Sequence, residues 1–189
     1  DRGGNPYFDF PYTVLLPLLV FLPVFISGSI TVDSITEEVD RGTLELLRVA
    51  PVSLTEIVDG KALAMIAIAP IQAMAWLVLL SLNGVVIANW GWIFALVTAS
   101  SVVVVAFAVG TALFASDRRA AQLLFSVGVL LLFAAASFLP VNPANTAALL
   151  AIDSATTVTY LGVVASVLAA IIIAAGVRVF VGRVDANEL

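Results

Sequence analysis

Cysteine and histidine are missing from this chain, and lysine occurs once, as Lys61. The first absence excludes disulfides, thiolate zinc sites and thiol nucleophiles. The second excludes imidazole as a metal ligand or as a general acid and base. Charge is scarce too. Asp, Glu, Lys and Arg make up 11% of the 189 residues against 62% hydrophobic, and the mean hydropathy is +1.15. A soluble domain carries about 25% charged residues, so a surface wetted all round is excluded. Acidic residues outnumber basic ones, 13 to 8. That excess, with so little lysine, is the balance of a salt-adapted source, and no basic patch of the kind that binds nucleic acid is present.

The little charge there is falls in clusters. No charged residue lies between Asp9 and Asp33, Lys61 and Asp117, Arg119 and Asp153, or Asp153 and Arg178. A membrane helix needs about 20 mostly apolar residues to cross a core of ~30 Å. The runs therefore predict five spans, near residues 11–30, 62–82, 92–115, 121–139 and 158–180. The expected fold is an all-α, polytopic transmembrane bundle, a single domain over residues 1–189. Pro17, Pro23 and Pro70 fall inside spans, where kinks are expected. Gly110, Ala112 and Ala115 are expected to allow close helix packing. Segment 140–157 has an apolar stretch too short to cross. It reads as a re-entrant or interfacial element entered by a turn at Asn142 and Pro143.

Basic residues give the orientation. If the spans alternate, segment 36–61, the turn at 116–120 and the tail after Phe180 share one side. Arg41, Arg48, Lys61, Arg118, Arg119 and Arg183 lie there, Arg178 can reach it, and only Arg2 lies opposite. This bias makes the shared side cytoplasmic. Trp90, Trp92, Tyr7, Tyr12 and Tyr160 fall toward the other interface, where aromatic belts form. The first residue would then lie outside the cell without a leader ahead of it. A six-span parent with at least one earlier span is expected.

Segment 36–61, TEEVDRGTLELLRVAPVSLTEIVDGK, holds nine of the 21 charged residues. Ser34 and Glu37 have the spacing of a capping box, which predicts a helix starting there and running to about Ala50. Glu37, Arg41, Glu45 and Arg48 fall on one face, within about 80° of arc, with Ile35, Val39, Leu46 and Ala50 opposite. Such a helix lies along an interface, apolar face inward. Leu44 falls beside the charges and Leu47 only partway round, a poor place for leucine in water and a good one for docking. Pro51 stops this helix, and Ser53 with Glu56 repeats the capping spacing for the next.

Glu38, the run Arg41 to Leu47 (RGTLELL), Pro51-Val52-Ser53, Glu56-Ile57 and Gly60-Lys61 together resemble the type-2 (ABC-2 type) ABC transporter permeases. Their pattern is close to E-x-x-x-G-T-L-E-x-L-L-x-x-P-V-S-x-x-E-I-x-x-G-K, between the second and third of six spans. Arg48 departs from it, standing where an apolar or small residue is usual. The likeness extends over nearly the whole layout, with the first span and first outer region of the family absent.

The resemblance implies an exporter subunit in the cell membrane whose amphipathic cytoplasmic coupling helix docks on a separate nucleotide-binding ATPase. It also implies a second permease as partner, in a homo- or heterodimer surrounded by lipid. ATP and Mg would be bound by the ATPase, and no cofactor by this chain. The docking residues it implies are Glu38, Arg41, Gly42, Thr43, Leu44, Glu45, Leu47 and Arg48. The residues themselves agree: Asp59-Gly60-Lys61-Ala62 is no phosphate loop, and no ionisable group falls at mid-span to carry a proton relay. A non-transporting membrane scaffold that recruits another cytoplasmic partner through segment 36–61 remains the alternative.

Overall fold

Backbone N–H and C=O groups in hydrocarbon find no water, so a spanning chain must satisfy them within itself. The chain does so with helix. A computed structural model describes residues 10–40, 54–115, 117–139 and 141–187, and no strand occurs among them. A π-helical turn, Pro11–Leu15, opens into α1 (Leu16–Asp40). Next come α2 (Leu54–Leu82), α3 (Trp90–Phe114), α4 (Arg118–Ser137), the short α5 (Pro143–Ala151) and α6 (Thr157–Asn187). Five stretches are long and apolar enough to cross a membrane: Pro11–Glu38, Thr55–Leu82, Trp90–Phe114, Arg118–Ser137 and Thr157–Val184.

Helix α3 is the axis of the bundle. It is 56% buried over its most apolar window, against 11% for α6. Helices α1 and α2 pack along each other and on α3, α6 lies against α3, and α4 rests on α1 and α3. The main core joins Val20, Phe21 and Val24 of α1, Ala69, Ala73 and Leu77 of α2, Leu96, Val97 and Val104 of α3, and Phe125 of α4. Close approach depends on Gly28 rather than Gly110. A Cβ at Gly28 would come within 2.5 Å of Phe125 Cζ and 2.7 Å of Val104 Cγ1, whereas one at Gly110 would meet nothing within 4 Å.

Pro70 leaves a polar gap inside α2. It has no N–H to give to the carbonyl of Ile66, one turn earlier. The hydroxyl of Ser101, a fully buried residue of α3, donates to that carbonyl at 3.3 Å. Buried Thr31 and Thr36 bond within their own helix, donating to the carbonyls of Ser27 at 2.7 Å and Val32 at 2.8 Å. No buried side-chain polar atom among the described residues lacks a partner.

The starts of α4, α5 and α6 are capped by short polar side chains. Asp117 accepts from Ala120 N–H at 2.8 Å to start α4. Asn142 accepts from Ala144 N–H at 2.9 Å, with Pro143 in the first turn, so the expected turn at this Asn-Pro pair is the N-cap of α5. Thr159 takes the N–H of Thr156 at 3.1 Å to start α6. One expected start is absent. Ser34 does not cap a new helix, because α1 runs through it unbroken to Asp40. Ile35 is accordingly a buried residue of α1 rather than the inner face of a separate interfacial helix.

One end of the bundle is held by aromatic and amide groups. Asn89, in the left-handed region at φ 52°, donates to Leu150 O at 3.1 Å and to Asp153 Oδ1 at 2.9 Å. Tyr160 donates to Asn89 Oδ1 at 3.4 Å, Tyr12 to Val86 O at 3.0 Å and Trp90 Nε1 to Ile87 O at 2.9 Å. Asp153 shares the left-handed conformation at φ 56°, which Asn and Asp tolerate best after glycine.

The contrast between the two glycines can be measured. Gly28→Ala should lower stability by about 1–3 kcal/mol through overpacking, while Gly110→Ala should be neutral or stabilise by about 0.5–1 kcal/mol. Thermal unfolding in detergent separates them, and equal effects would contradict the close approach. Ser101→Ala should cost about 1 kcal/mol by orphaning the Ile66 carbonyl. In a Pro70→Ala background, where the backbone N–H returns, the same change should cost nearly nothing; additive effects in the double-mutant cycle would rule out the repair.

Candidate functional site

Of the residues expected to dock a partner, Glu38 lies in α1, while Arg41, Gly42, Thr43, Leu44, Glu45, Leu47 and Arg48 lie outside the described residues. What the structure gives is the frame from which their segment leaves and to which it returns. Helix α1 ends at Asp40 and α2 begins at Leu54. The two are bridged at this end by Lys61, whose Nζ donates to Ser34 O at 2.9 Å and to Glu38 Oε1 at 2.7 Å. Ser34 and Glu38 are one helical turn apart, so both contacts fall on the same side of α1.

Two further ion pairs lie at the same end. Arg118 Nε, at the start of α4, meets Asp33 Oδ1 of α1 at 2.9 Å. Arg178 Nε of α6 meets Asp59 Oδ2 of α2 at 3.2 Å. Gln122 of α4 also donates to Ser29 O of α1 at 3.4 Å. Beneath the charges lies a second small core of Ile35, Val58, Val109, Ala112 and Val181, from α1, α2, α3 and α6. This end therefore sets ion pairs around a small apolar core. Sequence reasoning placed Lys61 in a motif but not among the site residues. Its signal was its isolation: it is the only lysine, and the last charge before a long uncharged run.

Two cavities open among the helices. The larger, about 400 Å³, lies between α1, α3, α4 and α6 and is lined by Phe21, Phe25, Phe133, Leu132, Ala169 and Ile173 among others. Phe133 packs edge-on to Phe25 and Phe21, with ring centroids 5.5 and 6.3 Å apart. The two hydroxyls lining this cavity are engaged within their own helices, Ser100 donating to Leu96 O and Ser166 to Gly162 O, both at 2.9 Å. Such a space suits a group with no hydrogen bonds to make. The smaller, about 300 Å³, lies among α2, α3 and α6 at the charged end, where Val58, Ala62, Val109 and Val177 line it beside Asp59 and Arg178. Among the described residues no cluster of three or more acidic side chains is arranged to hold a metal ion.

Residues 4–167 match a family model described as ABC-2 family transporter protein. No curated protein and no solved structure matches the chain. The matched stretch takes in the charged segment, Lys61, α1 to α5 and the first part of α6. With five helices able to cross a membrane and a family model covering most of its length, the chain belongs to the ABC-2 family transporter proteins and is a multi-pass membrane permease.

Proposed function

We propose that this permease is the membrane-spanning subunit of an ATP-driven exporter, coupled to ATP hydrolysis in a separate nucleotide-binding subunit. ATP and Mg are bound by that subunit, and a second permease, identical or related, completes the pathway. The observation that carries this reading is the charged segment between α1 and α2. Both of its flanks are anchored to the bundle by Lys61 and the neighbouring ion pairs. A partner that grips the segment thereby has hold of both helices. The family match supports transport, and the motif from Glu38 to Lys61 supports docking on an ATPase. On this reading segment 36–61 and the C-terminus face the cytoplasm, in keeping with the basic residues gathered there.

The docking residues proposed are Arg41, Thr43, Leu44, Glu45, Leu47 and Arg48, with Glu38 and Gly42 shaping the entry. On the helix expected for this segment Glu45 shares a face with Arg41 and Arg48, so reversing its sign would place like charges side by side. Affinity purification of the full-length protein in mild detergent, with ATPase activity assayed on what comes with it, is the test. Glu45→Arg should reduce the co-purifying ATPase about tenfold, near 1.4 kcal/mol of binding, while membrane insertion is unchanged. Unchanged co-purification would show that the docking face is assigned wrongly. A permease that brings down a partner without ATPase activity would favour the scaffold reading.

A further inference from the structure

The three ion pairs at the charged end are not equal, and the difference assigns them different duties. Arg118 and Asp33 are 53% and 41% exposed and Arg178 and Asp59 73% and 41%, with the closest approach of each pair at Nε. Exposed pairs of this kind contribute little and exchange readily with water. Lys61 and Glu38 are only 28% and 34% exposed, and the ammonium has a second acceptor in the Ser34 carbonyl. That carbonyl has two lone pairs, so it can serve its own helix and the lysine at once. The lysine thus grips α1 at two points one turn apart, near the C-terminal end of the helix, where the backbone favours a cation. A single contact would let α1 pivot about it, whereas two fix both position and rotation. The contact joins the two helices on either side of the charged segment.

The helices divide in the same way. Helices α1 and α2 form the most extensively packed pair, while α4 rests on α1 and α3, and α6 on α3 and more lightly on α2. The ion pairs that tie the outlying helices at the charged end are both exposed, α4 to α1 with Gln122 on Ser29 O beside it, and α6 to α2 above the small apolar core that holds Val181.

We propose that Lys61 is a positioning residue, a latch that makes α1 and α2 move as one body when the charged segment is pushed, so that the push reaches α4 and α6. This inference rests on the ATPase reading above but adds a residue outside the docking face. Without the latch, a partner could still bind the segment, yet its movement would be lost in the separation of α1 from α2.

The absence of cysteine makes the test direct, since introduced thiols are the only ones in the chain. Leu82 ends α2, and Phe138 comes directly after α4; both are strongly exposed at the end of the bundle far from Lys61. Spin labels on Leu82→Cys and Phe138→Cys report their separation in the complex with the co-purifying ATPase. ATP with vanadate should shift that separation by about 2–5 Å, the scale of helix movements in switching proteins. Lys61→Met should abolish the shift while the ATPase still co-purifies, and Lys61→Arg, which keeps the charge and its donors, should restore most of it. A full shift in Lys61→Met would overturn the latch alone. No shift in the chain with Lys61 intact would overturn the ATPase reading and the latch with it. If Lys61→Met does not insert, Glu38→Gln, read only on complexes that retain the ATPase because Glu38 also shapes the docking entry, tests the same contact by removing the charge and keeping the Ser34 grip. A shift reduced by about half there supports two-point gripping, and an undiminished one overturns it.

Discussion

Hydrocarbon offers no hydrogen bonds, and most of this structure derives from that one constraint. Six helices account for the backbone among the described residues. Side chains then repair the places where helix alone fails. Pro70 removes one backbone donor, and Ser101 from the next helix supplies a hydroxyl to the freed carbonyl. Buried threonines, and the half-buried Ser100 and Ser166, turn their hydroxyls back on their own helices. What is left facing the larger cavity is almost all carbon. Packing must then come from shape, because apolar side chains gain little by leaving lipid for one another. That is why Gly28, between Phe125 and Val104, is worth more to the bundle than a larger residue would be.

Polar chemistry is pushed to the two ends, which differ in kind. The aromatic end is held by neutral groups: amide, phenol, indole and backbone carbonyl, with one carboxylate, Asp153, accepting from Asn89. Both Asn89 and Asp153 take the left-handed backbone that lets a turn reverse within a few residues. The basic end is held by ion pairs between helices. Neutral hydrogen bonds among part-buried groups keep their strength as salt rises, while exposed ion pairs weaken. The two ends therefore respond differently to anything that brings charge, and only the basic end carries a segment suited to bring it.

Much of the bundle was legible in the sequence because charge marks where a chain must leave the hydrocarbon. The uncharged runs Asp9–Asp33, Lys61–Asp117, Arg119–Asp153 and Asp153–Arg178 hold the spans, and they are visible without any pairwise information. Capping was half legible. Asn142 and Pro143 mark a boundary, but whether it is a turn or a helix start depends on the residues after it, and those form α5. The spacing Ser34–Glu37 misleads for a reason of the same kind. A capping box stabilises a start only where the preceding residues are not already helical, and α1 arrives at Ser34 as a helix packed through Val32 and Ile35. Close packing at Gly28 was hidden, because a glycine's value lies in which ring it faces, and no periodicity carries that. The Lys61 contacts were hidden too, since they join residues 23 and 27 positions apart through a side-chain geometry that a motif only hints at.

The placement of charge also bears on where movement can enter. Among the described residues no ionisable side chain sits in the middle of a span, so nothing there can change its charge and pull helices about. Outside the cavities the core is packed carbon, which resists small deformations and yields in larger steps. Contacts that can open at small expense lie at the ends, and the weakest are the exposed pairs Asp33–Arg118 and Asp59–Arg178. A force applied at the basic end meets a firm joint at Lys61 and two soft ones beside it. It would therefore separate α4 and α6 from the α1–α2 pair before it separated α1 from α2. The larger cavity lies where α4 and α6 face each other across α1 and α3. Movement that begins at the soft joints would change the width of that cavity first, which places the proposed drive and this apolar cavity on the same two helices.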